Sequence, residues 1–241
     1  LWSEDAAGFV NGGGLDAERL ACCVKGWAGC TEGGAKAPSQ TVNYLSCHDD
    51  WTLWDRLVMT RDPERRFQLC QPELLRQNRL AAAVNFTCQG HLFFLSGEEF
   101  ARTKGGVKNT YASPVEINRL DWSRAWENRE MVEYYRGLLA LRMRLPGLRD
   151  KTPEAAKRLL AVTVPAEDCG AVLMVNRGEG GPWKRLFMAY SAAKEGVSLP
   201  LPRGDWEILA DARSSFAWRE PRVVRDAAVL EPVSALILGQ R

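Results

Sequence analysis

Two short stretches of the chain concentrate side chains that could do chemistry. The first is His48-Asp49-Asp50-Trp51. The second is Gly97-Glu98-Glu99-Phe100, which runs on through Arg102-Thr103-Lys104 to Asn109-Thr110-Tyr111. Each stretch begins where an apolar run of strand character ends, so an imidazole and several carboxylates would be presented at strand ends. In (β/α) barrels that edge carries the catalytic groups. A fixed carboxylate there lowers the barrier to a transition state of oxocarbenium character, and a neighbouring histidine can hydrogen-bond sugar hydroxyls. The residue types therefore suit glycoside chemistry. A His-Asp dipeptide, an acidic pair and an Asn-Thr-Tyr turn also read as solvated surface or helix-cap residues, and spacing alone leaves both readings open.

The elements that must position these groups follow from the hydrophobic pattern. Residues 41–47 (TVNYLSC) are β-branched and aromatic; they predict a buried strand that ends at His48 and passes into a loop. Pro72 and Glu73 open a helix, Pro being favoured at the first helical position and an acid in the first turn. Leu75, Ala82, Ala83 and Phe86 share a face of it. Residues 91–95 (HLFFL) predict a second apolar strand, followed by a long polar loop over about 102–129. Met131, Tyr134, Tyr135, Leu138, Leu141 and Leu145 recur at helical spacing until Pro146-Gly147 stops the helix. Strand, helix, strand, helix, with fully apolar strands, is the signature of a parallel sheet covered on both faces. The first forty residues are glycine-rich and loop-like, apart from a short helix over 16–24 opened by Asp16.

Beyond about Pro153 the texture changes. Short β-like runs over 158–164, 171–176, 186–191, 197–201, 206–209 and 234–238 are separated by turns at 178–182 and 202–205. Regular short strands without helices predict an antiparallel sandwich.

Composition narrows the function classes. The chain has 241 residues, 32 basic and 30 acidic, for a net charge of +2; this balance offers no field suited to nucleic acid or an anionic membrane. No apolar run approaches the ~20 residues of a membrane helix, and residues 1–5 do not read as a signal peptide. The seven cysteines, Cys22, Cys23, Cys30, Cys47, Cys70, Cys88 and Cys169, form no CxxC pair. They read as free thiols, which favours a reducing, cytoplasmic compartment. With only His48 and His91, no structural zinc site is expected.

Longer motifs carry a resemblance. The run from Thr41 to Leu57, TVNYLSCHDDWTLWDRL, resembles the seventh-strand segment of type I pullulanases in the α-amylase superfamily (glycoside hydrolase family 13). The run from Gly97 to Gly106, GEEFARTKGG, is similar to the eighth-strand motif of that family. Asn109–Pro114, Glu116–Trp122 and Tyr134–Arg142 continue the match in order, and Gly8–Gly12 fits the stretch before the seventh strand. The resemblance implies an α/β plus all-β fold. Residues 1–152 would be the C-terminal portion of a (β/α)8 barrel, its last two strand-helix units, and 153–241 an antiparallel β-sandwich domain.

It also implies roles. Asp49 would stabilise the transition state and hold sugar hydroxyls, with His48 beside it as a hydroxyl-binding residue. Asp50, Trp51, Glu99, Arg102, Asn109 and Tyr111 would contact substrate, an α-glucan. The family usually has Asn after His-Asp, and here the residue is Asp50; an added charge could alter substrate contacts or the acidity of Asp49. The family's nucleophile and general acid sit at earlier strands and have no counterpart in residues 1–40. The implied activity, retaining cleavage of α-1,6 branch linkages in pullulan, glycogen or starch-derived glucans, would then be missing from these 241 residues alone. The N-terminal part of the barrel becomes an implied partner. No cofactor or metal ligand is implied here, although calcium occurs in full-length members. The alternative is a non-catalytic α-glucan-binding or scaffold protein derived from that family.

Overall fold

The computed structural model describes residues 6–14, 16–31, 33–164, 166–176, 181–216 and 220–241. Residues 1–5, read above for a leader, and 178–180 of the expected turn lie outside them.

Helix α1 (Ala17–Val24) begins where the Asp16 carboxylate accepts the Arg19 N–H at 2.9 Å. The chain then turns through Gly26, Trp27 and Gly29, all with φ near +60 to +72°. That turn folds Cys30 back onto the helix, where it forms a disulfide with Cys22, their Cα atoms 6.0 Å apart. The expectation of seven free thiols is corrected at this point: a tertiary turn made the pair, and spacing did not announce it. Cys23, Cys47, Cys70, Cys88 and Cys169 are free.

The two predicted strands are shorter and wetter than expected. β1 (Val42–Asn43) and β2 (His91–Leu92) pair in parallel, Val42 opposite His91 and Asn43 opposite Leu92. The Phe93 N–H adds a bond to the Asn43 carbonyl at 2.9 Å, and the Asn43 amide bridges the carbonyls of Gln89 and His91. Val42, Tyr44 and Phe93 are exposed. The buried five- to seven-residue strands predicted above are thus corrected to two residues each. A lone parallel pair has ladder partners on one side only, so regular pairing stops early.

The loop expected after His48 is short and leads into a helix: α2 (Leu53–Arg61) is capped by Thr52, whose hydroxyl accepts the Asp55 N–H. α3 (Pro72–Thr87) starts at proline as predicted. The polar stretch after Arg102 contains α4 (Val115–Asn118) and α5 (Trp122–Glu127), the latter capped by Asp121. α6 (Arg129–Arg144) buries Met131, Tyr134, Tyr135, Leu138 and Leu141, and α7 (Pro146–Arg149) follows. No helix among the described residues is long and apolar enough to cross a membrane.

The remaining chain is antiparallel. β3 (Leu159–Val162), β4 (Cys169–Val175), β5 (Arg185–Ser191), β7 (Trp206–Ala210), β8 (Val223–Val224) and β10 (Ser234–Gln240) form a six-stranded sheet in the order β3-β4-β5-β10-β7-β8, while β6 (Val197–Pro200) pairs with β9 (Ala227–Leu230). Strands β8 and β9 are additions to the sequence reading. The period-two rule explains why β5 reads as continuously apolar. Leu186, Met188 and Tyr190 face the helices in one core with Leu80, Phe86, Leu138 and Ile237. Phe187 and Ala189 face the small sheet in a second core with Leu199, Trp206, Leu230 and Leu238. The molecule is therefore a mixed α/β chain whose central antiparallel sheet is buried on both faces.

Contact between the halves is close. Thr87 Oγ1 lies 2.6 Å from Tyr190 Oη, Tyr134 Oη donates to the Asp211 carbonyl at 3.1 Å, and Arg79 reaches the Ala212 carbonyl. Gly137 on α6 is required there, because a Cβ would stand 1.9 Å from the Ser215 carbonyl oxygen.

Candidate active site

Because β1 and β2 are parallel, the loops that leave them emerge from the same edge, and the two stretches singled out at the start come together. His48 and Asp49 form the outermost part. Their side chains are 83% and 63% exposed, with His48 Nε2 3.4 Å from Asp49 Oδ1. Beneath them the loops are laced by hydrogen bonds. The Asp50 N–H donates to Asn109 Oδ1 at 3.0 Å, and the Trp51 indole N–H donates to the Gly106 carbonyl at 2.8 Å. Lys104 Nζ donates to the His48 carbonyl at 3.3 Å.

Asp55, on the first turn of α2, is the central tie. It is fully buried and accepts the Thr103 hydroxyl and the Lys104 N–H, the latter at 2.8 Å. Burial raises its carboxyl above the ordinary value, while the hydrogen bonds from Thr103 and the Lys104 backbone pull the other way. Three non-glycine residues of these loops, Asp50, Ala101 and Asn109, hold left-handed backbone at φ 57°, 58° and 50°. Such conformations cost about 1 kcal/mol or more each and gather where surrounding contacts over-determine the chain.

The expected site residues divide in two. Tyr111 is 88% exposed, and Asn109 carries the Asp50 bond described above. Glu99 accepts the Gly97 N–H at 2.8 Å, an arrangement that closes the turn at Gly97, where φ is 102°. Arg102 turns its guanidinium to the carbonyls of Ser96 and Asn118, and burial lowers its pKa from the ordinary arginine value. Asp50 is ion-paired with Lys108 at 3.4 Å and Arg56 at 3.9 Å. Trp51 lies under the loops, 6% exposed, with Lys108 Nζ 3.9 Å and Arg56 Cζ 4.8 Å from its ring centre. A concavity of about 470 Å³ between α1 and the β3–β4 pair is lined by none of these residues.

The site roles expected from the sequence left out Asp55, Lys104 and Glu98. Asp55 had a signal: it is an acid set among Leu53, Trp54, Leu57 and Val58, where a solvated charge is out of place. Glu98, passed over in favour of Glu99, is 3% exposed. Its Oε1 accepts the Ser46 hydroxyl and the Leu95 N–H, and its Oε2 has no hydrogen-bond partner among the described residues. Burial pushes its carboxyl up to about 7, against the hydrogen bond from Ser46.

Comparison with known proteins bears on the family of the chain as a whole. No protein-family model matches the chain. The pullulanase of Bacillus subtilis (strain 168) is 31% identical over 239 residues, covering 97% of this chain and 32% of its own length. The chain is a homologue of the pullulanases. In three dimensions it is similar to the pullulanase from Bacillus acidopullulyticus, with a TM-score of 0.88 at 29% identity over 99% of this chain and 28% of that one. It is also similar to type I pullulanase of Bacillus subtilis, solved in complex with maltose, with a TM-score of 0.86 at 27% identity over 99% of this chain and 33% of that one. The pullulanase relationship thus extends over the helical half and the sheets alike, and the chain spans about a third of the length of the relatives it matches.

Proposed function

We propose that this chain is the part of a debranching glycoside hydrolase that carries the transition-state carboxylate, Asp49, and its hydroxyl-binding neighbour, His48. The carrying observation is the exposed His48–Asp49 pair, set on a backbone pinned by Lys104, Asn109 and Asp55. The substrate class is an α-glucan with α-1,6 linkages. Asp49 would face the developing positive charge of the anomeric centre, and His48 would hold hydroxyls. Asn109 is bonded to the Asp50 N–H beside the pair, Tyr111 stands exposed two residues further along the same loop, and Glu99, Arg102, Asp50 and Trp51 act through the loops that hold it.

On this reading residues 1–152 supply the last two strand-helix units of a (β/α)8 barrel, and 153–241 a β-sandwich. The parallel β1–β2 pair with its exposed Val42, Tyr44 and Phe93 supports the first assignment, since barrel strands carry neighbours on both sides. The second is supported by the core that the large sheet shares with β6 and β9. Nucleophile and general acid come from barrel strands outside these residues.

Reducing-end release from pullulan by the 241-residue chain alone should be undetectable. Maltotriose should still perturb the His48 imidazole resonances, and Asp49→Asn should weaken that response. Hydrolysis by the isolated chain, or an imidazole blind to maltotriose, would overturn the reading.

A further inference from the structure

The residue before the pair is a cysteine, and the three side chains differ in kind: thiol, imidazole and carboxylate. We propose that Cys47, His48 and Asp49 form a binding site for a divalent cation of the zinc or copper class. One ligand atom from each lies within 4.8 Å of the other two. His48 Nε2 and Asp49 Oδ1 are already 3.4 Å apart. A tetrahedral ion with bonds of about 2.0–2.2 Å to nitrogen and oxygen sets those two atoms roughly 3.4 Å from each other. The Cys47 thiol points at the Asp49 carbonyl at 3.8 Å, so it already lies on the same side of the chain. With a metal–sulfur bond of about 2.3 Å the thiolate needs to close by at most about 1 Å. The exposed imidazole and carboxylate are free to rotate without disturbing the core.

The donor set decides the class of ion. Sulfur and imidazole nitrogen select zinc or copper; calcium and magnesium require shells of oxygen. Three protein ligands leave the fourth position to water or buffer, the arrangement of an open site in place of a structural one. The surrounding charges permit it. The Lys104 ammonium is engaged with the His48 carbonyl, and the Asp50 carboxylate with Lys108 and Arg56, which leaves Asp49 as the carboxylate facing the thiol. A bound ion would occupy the lone pairs that the proposed sugar contacts use. Only that consequence rests on the glucan reading; the site itself does not.

Cobalt(II) is the probe, added to the 241-residue chain with the Cys22–Cys30 disulfide intact and followed by absorbance. The expected result is one equivalent bound, with a thiolate-to-cobalt charge-transfer band that zinc(II) abolishes. Cys47→Ser should remove the band, His48→Ala should weaken cobalt binding at least tenfold, and Cys70→Ser should leave both unchanged. Near-ultraviolet circular dichroism identical to the parent protein keeps each variant interpretable. A parent protein without the band, a band that survives Cys47→Ser, or one lost in Cys70→Ser would overturn the proposal.

Discussion

Glu98→Gln is the substitution that tests the electrostatics of the loops most directly. Glu98 is 3% exposed, one of its oxygens has no hydrogen-bond partner among the described residues, and its carboxyl is raised from 4.5 to about 7. The native state therefore holds this proton more tightly than the unfolded chain. For an acid shifted upward, the associated stability is fully present below the unfolded value of about 4.5 and is lost as pH rises through about 7. A shift of that size corresponds to about 3 kcal/mol at about 1.4 kcal/mol per unit. Roughly three quarters of it should disappear between pH 5 and pH 8. Glutamine has almost the same shape, keeps an acceptor for the Ser46 hydroxyl and the Leu95 N–H, and does not titrate.

The assay is urea unfolding of parent and variant at pH 5, 6, 7 and 8. All other titrating groups, Asp55 included, contribute equally to both proteins and cancel in the difference. The glutamine N–H₂ would occupy the position of the unpartnered Oε2, and an unsatisfied buried donor costs about 1–3 kcal/mol. That cost is independent of pH, so the slope is the readout and not the offset. Relative to the parent, Glu98→Gln should gain roughly 2–3 kcal/mol between pH 5 and 8. Parallel curves would refute the claim that Glu98 is buried and proton-bound.

Two further perturbations probe the bracing. Asp55→Ala leaves the Thr103 hydroxyl and the Lys104 N–H without an acceptor; a loss of about 3 kcal/mol and faster hydrogen exchange at the Lys104 amide are expected, and unchanged exchange would count against Asp55 as the tie. Gly137→Ala places a methyl group 1.9 Å from the Ser215 carbonyl, so thermal unfolding should occur at lower temperature by an overpacking cost of about 1–3 kcal/mol; an unchanged transition would mean that α6 yields freely at the sheet.

The parts of the fold legible in the sequence were those with a strong local signal. The Pro72 start, the α6 stripe and the apolar runs of β4, β5 and β10 are set by a side-chain period, and each appears within a few residues of its expected place. What sequence periodicity did not give depends on partners remote in the chain. The predicted strand at 41–47 shrinks to Val42–Asn43 because a ladder needs neighbours, and among the described residues only β2 supplies one. The Cys22–Cys30 bond is made by a turn through three left-handed residues, two of them glycines whose φ no spacing rule reveals. The candidate site was legible where charge stands at a strand end, as in His48-Asp49. Buried charge was harder to read: Glu98 follows a strand end, where a carboxylate reads as solvated until its surroundings are known, while Asp55 on α2 was marked only by its apolar neighbours.

Those two buried carboxylates explain how so exposed a pair can still be placed. Glu98 holds the Ser46 hydroxyl two residues before His48, and Asp55 holds Thr103 and Lys104, whose ammonium returns to the His48 carbonyl. Asn109 fixes the Asp50 N–H immediately after the pair, and Gly106 fixes the Trp51 indole one residue later. The backbone of 46–51 is thus tied before, at and after His48-Asp49, while the two side chains themselves stay open to solvent. Positioning of the pair is a property of the main chain: burial falls on Asp55, Glu98 and Trp51, and the exposed His48 and Asp49 side chains carry little of the desolvation cost that buried charges incur. A loss at either anchor should therefore reach the pair as displacement of its backbone, without any change in the chemistry of His48 or Asp49 themselves.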